Sequence, residues 1–372
     1  MAPTVVNSCS TTDSSPTTDS PIMVTPPSDF YGLGDYPFGG HPWQHQPGNG
    51  STRGHTNGLN GTHSEPTPPQ LPMPIAIVGM ACRLPGNVSS PAEFWELCSR
   101  ARTGFGPIPK DRFSHDAYYH PNAGKMGSYH AQGGNFLTHV DLKSMDAPFF
   151  GLTEKEAVSM DPQQRLLLEC TFEALENGGI PKHSIVGQDV GVFVGGSPAE
   201  YEHQMARDID SMPMHQATGC AQAMQSNRIS HFFDLRGPSF TADTACSASL
   251  VALHLACQSM RAGESTHAIV GSCHLNMLPE FWSSFSSSRL LSDSGRSIAF
   301  DGRGTGFGRG EGCGVIVLKP LDEALKNNDV IRAVIHGSGI NQDGKTPGIT
   351  MPNGTAQGTN RNPKHNASPV HC

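Results

Sequence analysis

The sequence predicts an α/β fold built around a layered sheet, and three observations predict it. Short apolar runs rich in β-branched residues and bounded by glycine recur along the chain. Between them lie segments with helix caps and helical apolar spacing. The 372 residues are enough for one large domain or two ordinary ones. Strands that alternate with helices pack in layers around a shared core.

Residues 1–72 stand apart from this pattern. They hold 12 of the 30 prolines, nine glycines, many serines and threonines, and a single basic residue, Arg53. Such a stretch buries too little apolar surface to offset its ordering entropy, so a disordered leader is expected. From Pro74 the texture changes. PIAIVGM (74–80) reads as a buried strand. Asp161-Pro162 opens a helix, with Asp as N-cap and Pro in the first turn, and Gly178-Gly179 stops it. DVGVFVGG (189–196) is a second buried strand, and one helix is expected through residues 218–235. SFTADTA (239–245) is strand-like and runs into the helical SASLVALHLACQSMRAG (247–263). HAIVGSC (267–273), GCGVIVLKP (312–320) and VIRAVIHGSG (330–339) are further strands. Whether the strands run parallel is left open by the pattern. GTNRNPKHNASPVHC (358–372) is polar and has no periodicity, so an unstructured tail is expected.

Composition excludes several classes. Net charge is −8, which argues against a nucleic-acid partner. No run reaches the ~18 apolar residues of a membrane helix, and the first residues lack the basic and apolar regions of a signal peptide. The ten cysteines include no CxxC pair, so neither a zinc site nor a disulfide framework is expected. These features fit a cytoplasmic protein with reduced thiols. GRGTGFGRGEG (302–312) lacks the spacing of a phosphate-binding loop and is read as a tight structural loop.

Cys246 is the candidate nucleophile. It lies where the strand-like segment turns into the helix, and Ala245, Ser247 and Ala248 leave room for a substrate carbonyl. The N-terminal end of a helix favours thiolate. The backbone N–H of Cys246 is a candidate oxyanion donor. Leu250, Val251, Leu253, Leu255 and Ala256 cover most of the helix circumference, so the helix is expected to be buried.

DTACSASL (243–250) resembles the active-site signature of β-ketoacyl synthases, as found in the ketosynthase domains of modular and iterative polyketide synthases. PIAIVGMACRLPG (74–86), MDPQQRLLLECTFEALENGGI (160–180), the wider stretch 228–256, and the blocks 299–325 and 340–357 resemble that domain in the same order. A leader followed by this opening is similar to the start of fungal, iterative, highly reducing synthases. The resemblance implies a thiolase-like fold with α-β-α-β-α layers, of which the chain holds the N-terminal half to two-thirds. An incomplete β-ketoacyl synthase domain is expected over 73–357, as a homodimer when complete. The implied activity is that of an acyltransferase in secondary metabolite biosynthesis. Cys246 takes an acyl group, and a malonyl thioester on the phosphopantetheine arm of an acyl carrier protein then condenses with it by decarboxylative Claisen chemistry. No metal or dissociable cofactor is implied, and the carrier and acyltransferase domains are partners absent from the chain.

The family pairs its cysteine with two histidines, one in a His-Gly-Thr-Gly-Thr block and one in an Asn-Ile-Gly-His block. Neither block follows Cys246, whose downstream histidines are His254, His267, His274, His336, His365 and His371. His254 lies two helical turns on, about 12 Å in rise from the cysteine. The expectation is a chain that lacks both catalytic histidines and does not condense alone. The alternative is a non-catalytic remnant or a dimerising fragment of a synthase. In a two-halved fold the helix after Cys246 is sandwiched, and without the second half its apolar surface is expected to face water.

Overall fold

The computed structural model describes residues 72–359. The expected leader, apart from Pro72, and all but two residues of the expected tail lie outside the described residues, with His365 and His371. β1 (Ile75–Arg83) is followed by α1 (Pro91–Ser99). A small ribbon of β2 (Phe105–Gly106) and β3 (Gly134–Asn135) brackets α2 (His115–Tyr118). Next come α3 (Glu154–Ser159), α4 (Pro162–Asn177) and β4 (Val190–Gly195). α5 (Glu200–Met205), α6 (Gln216–Cys220) and α7 (Met224–Phe233) precede β5 (Ser239–Ala242). α8 (Ala248–Ala262), β6 (His267–His274), α9 (Pro279–Ser287) and β7 (Gly312–Pro320) follow. α10 (Leu321–Lys326), β8 (Ala333–Ile335) and α11 (Gly354–Thr359) complete the order.

Six strands form one sheet in the order β5-β4-β6-β7-β1-β8. β4 runs parallel to β5 and β6, whereas β7 is antiparallel to β6 and β1, and β8 is antiparallel to β1. The sheet is therefore mixed. Every residue of β4 is buried, because helices cover both of its faces. Val192 and Val194 point into one core with Leu167 of α4 and Ile229 of α7. Phe193 points into the other, with Ala252, Ala256 and Met260 of α8. This alternation is what a strand of period two requires when both faces are apolar.

α4 forms as its ends predict. The Asp161 carboxylate accepts the Gln163 N–H at 2.8 Å, Pro162 opens the first turn, and Gly179 takes the left-handed conformation past the end. Gly79 allows its close seat on β1: a Cβ there would lie 2.1 Å from the Ala174 carbonyl oxygen. The single helix expected over 218–235 is instead two, α6 and α7. Gly219 O, which a continuous helix would pair internally, accepts the Asp161 N–H (2.9 Å) and Gln164 Nε2 (2.7 Å), and the chain opens at Ala221. The strand expected over 330–339 shrinks to Ala333–Ile335, the part paired with Ile75–Ile77 at the sheet edge.

A buried ion pair ties the loops before α3 to the sheet. The Glu311 carboxylate accepts from Arg112 Nε (2.8 Å) and Nη2 (2.9 Å), and from the N–H groups of Leu137 (2.8 Å) and Asn276 (3.1 Å). The glycine-rich stretch that carries Glu311 is exposed over 302–307 and tight beyond: a Cβ at Gly308 would lie 2.3 Å from the Gly295 carbonyl oxygen.

Candidate active site

β5 ends at Ala242 and the chain turns sharply into α8. The Asp243 carboxylate accepts the Ala245 N–H at 2.8 Å and closes the turn. Ala245 then adopts φ 54°, a left-handed conformation that a residue with a Cβ takes only under strain. Residues 245–247 form one 3₁₀ turn, and Ser247 Oγ returns to the Thr244 carbonyl at 2.8 Å. Gly195, at the end of β4, lets the first turn of α8 approach: a Cβ there would sit 2.5 Å from the Ser249 nitrogen. The helix end is thus pressed against the C-terminal edge of the parallel strands, the common place for ligand sites in α/β sheets.

Cys246 is exposed on this turn. Its N–H and its thiol have no hydrogen-bond partner among the described residues. The small flanking side chains leave the sulfur open to an approaching carbonyl. The other six cysteines within the described elements, apart from Cys98 on α1, are buried. Burial raises the pKa values of Cys82 to about 11 and Cys220 to about 12; a hydrogen bond with Cys313 and burial raise that of Cys170, and burial raises that of Cys313. Those thiols stay protonated and inert.

None of the four candidate histidines among the described residues pairs with Cys246. His254 Nδ1 bonds Ser338 Oγ at 3.0 Å, and burial lowers its pKa. His267 Nε2 meets Glu323 Oε1 at 2.9 Å, and desolvation outweighs that carboxylate, so its pKa is also lowered. His274 accepts from Arg309 Nη2 at 3.2 Å, and burial with the nearby guanidinium pushes its pKa down to about 4. His336 is exposed beyond β8. The left-handed conformation of Ala245, the turn-closing role of Asp243 and the close approach at Gly195 shape the site and were not read from the sequence. The Gly195-Gly196 pair after an apolar strand was the one available signal.

α8 is not buried all round. Ala252, Ala256, Cys257 and Met260 are covered, whereas Leu250 is 56% exposed, so its outer side faces water there, as expected of this helix without a second half over it. Among the described residues, no cluster is arranged to hold a metal ion, and no helix is long and apolar enough to cross a membrane.

The profile of the family described as "Beta-ketoacyl synthase, N-terminal domain" matches residues 73–324. Highly-reducing polyketide synthase 1 of Aureobasidium melanogenum is 62% identical over 285 residues, which cover 76% of this chain and 13% of that protein. Highly reducing polyketide synthase tstA of Talaromyces stipitatus is 48% identical over 287 residues, 77% of this chain and 11% of that one. The chain therefore spans about an eighth or less of the length of such relatives. Among solved structures, the oxazolomycin ketosynthase domain OzmH KS7 of Streptomyces albus JA3453 superposes with a TM-score of 0.71 at 32% identity, covering 77% of this chain and 49% of that one. The ketosynthase from module 6 of the bacillaene synthase of Bacillus subtilis 168 gives 0.69 at 36% identity, covering 77% and 47%. The six-stranded sheet and its two helical layers are one α-β-α unit of the thiolase-like ketosynthase fold. By its blocks, its sheet and these matches, the chain belongs to the β-ketoacyl synthase family and resembles the ketosynthase region of fungal highly reducing polyketide synthases.

Proposed function

We propose that the chain carries the acyl-accepting half of a polyketide synthase ketosynthase, with Cys246 as nucleophile. The observation that carries the reading is the exposed Cys246 thiol on the strained turn at the N-terminal end of α8. In the first step the thiolate attacks the carbonyl of an acyl thioester, and the unpartnered Cys246 N–H steadies the oxyanion. The intermediate collapses, the carrier thiolate leaves, and the acyl group stays on Cys246. In the second step a malonyl thioester on a phosphopantetheine arm loses CO₂. Its carbanion attacks the Cys246 thioester, and the Cys246 thiolate departs from the β-ketoacyl product.

The second step calls for groups that polarise the malonyl thioester. His254, His267 and His274 are engaged elsewhere, and neither histidine block of the family occurs in the chain. The reading therefore assigns acylation to Cys246 and leaves the polarisation of the malonyl thioester to groups outside the described residues. The reading also carries the domain division proposed from sequence, with the ketosynthase region over 73–357. Its partners are an acyl carrier protein, an acyltransferase domain and a second copy of the complete ketosynthase. It places the chain in the cytoplasm, where unpaired cysteines persist.

Intact mass after incubation with an acyl N-acetylcysteamine thioester tests the first step. One acyl group is expected on the native chain and none on Cys246→Ala. Release of a β-ketoacyl product from malonyl thioester by this chain alone would contradict the division of labour. A second reading, a non-catalytic fragment that pairs with an intact synthase, draws on the open face at Leu250. It predicts no adduct and co-sedimentation with a complete ketosynthase.

A further inference from the structure

A second ligand-sized space lies among α3, α4, α5 and the loop at 141–148. It is a cavity of about 690 Å³, within the usual range for small-molecule sites. Leu142, Met145, Val158, Met205 and Met277 make its wall mainly apolar, and methionines adapt to flexible aliphatic chains. Neither Cys246 nor its neighbours line it.

Arg165 of α4 faces this space with its charge uncompensated by contact. The residue is 6% exposed. Its guanidinium donates to Met160 O through Nε (3.0 Å) and Nη2 (2.6 Å), and to Leu142 O (3.0 Å) and Lys143 O (3.2 Å) through Nη1. The Tyr201 ring lies 6.0 Å away. Every one of these partners is neutral. Asp161, four residues back, spends its oxygens on the backbone and side-chain amides of Gln163. Arg112 lines the same cavity, but Glu311 and Asp111 neutralise it. Exposed Lys143 also lines it and makes no salt bridge, as does Glu154, the unpaired acid of the wall. A smaller space of about 270 Å³ shares Arg165, yet Asp141, Asp146 and Glu169 line it, which disfavours an anion there. The larger side combines an apolar wall with a buried cation that no carboxylate contacts.

We propose that the larger cavity binds an aliphatic carboxylate, its chain along Met145, Val158, Met205 and Met277 and its head toward Arg165 and Lys143. A buried charge whose direct contacts are all neutral is costly, and an anion brought to it offsets part of that cost. Because the carbonyls already occupy most of the guanidinium protons, the attraction is chiefly between charges, and affinity is modest. The site is independent of the role given to Cys246.

The test titrates the chain with a dansyl-labelled undecanoic acid and follows dansyl fluorescence. Saturable binding is expected, displaced by decanoate and not by decylamine. Val158→Trp, at a wall position 58% exposed and so tolerant of a larger side chain, should weaken binding about tenfold or more by filling the space. Lys143→Gln should weaken it a few-fold, and Leu250→Gln should leave it unchanged. The proposal is overturned by absence of saturable binding, by equal displacement with decylamine, by an unaltered Val158→Trp, or by loss in Leu250→Gln, which would move the probe to the open face of α8.

Discussion

α4 and α8 lie on opposite faces of one sheet, read as similarly apolar in sequence, and end up in different surroundings. Eleven of the sixteen residues of α4 are buried, so it is enclosed on nearly all sides. Six of the fifteen residues of α8 are buried, so it is covered on one face alone. Leu137, Leu142, Phe150, Ile229 and Phe233 close over α4 from outside. Over α8 the described residues supply few polar contacts, Ser338 to His254 near its middle and the Met73 and His336 carbonyls to Arg261 near its end. The closed side is a finished core with inert thiols, and the open side carries the one cysteine at a strained, accessible turn. The two faces of this sheet thus divide stability from chemistry.

The sharpest way to break the closed side is Glu311→Ala. It leaves the Arg112 guanidinium, whose side chain is 2% exposed, with Asp111 alone and strips the Leu137 and Asn276 N–H groups of their acceptor, a loss of about 3 kcal/mol, read as a lowered denaturant midpoint. Leu167→Ala, at a fully buried position of the α4 core, should cost about 2–5 kcal/mol in the same assay. His274 provides a pH-dependent test. Its folded pKa of about 4 lies below the ordinary value of 6.5. Between those values the unfolded chain binds a proton that the folded chain refuses. Stability supported above pH 6.5 is therefore lost as pH falls toward 4. The wild type should lose about 2 kcal/mol more than His274→Gln between pH 7 and pH 5. On the open side Leu250→Gln should change stability by no more than about 0.5 kcal/mol and should reduce aggregation measured by light scattering. A large destabilisation there would mean that Leu250 is covered after all.

Much of this contrast was legible in the residues, and some was not. β1, β4, β6 and β7 declared themselves as glycine-bounded apolar runs, because strands covered on both faces need no polar alternation. α4 was legible from Asp161-Pro162 and Gly178-Gly179, since caps are local chemistry. The break between α6 and α7 was hidden, because Gly219 O is captured by Asp161 and Gln164, partners distant in sequence. The left-handed Ala245 was hidden as well, since alanine carries no mark of such a conformation. Apolarity marked the outer side of α8 as a surface that seeks cover, and a helix's own residues do not say what covers it. Cys246 was legible through its neighbours in sequence, whereas the engagement of His254 by Ser338 required the fold.

The most direct test of the central claim is a site-resolved map of acylation across all the cysteines. The chain is exposed to a limiting acyl thioester, digested under acidic conditions, and each cysteine-bearing peptide is quantified. Cys98 is the internal control, since it is also exposed but sits on α1, away from the strained turn. Label concentrated on Cys246, well above Cys98 and absent from Cys170, Cys273 and Cys313, is the predicted result. Equal labelling of Cys98 and Cys246 would reduce the turn to a display of one more surface thiol and contradict its assignment as the acyl acceptor.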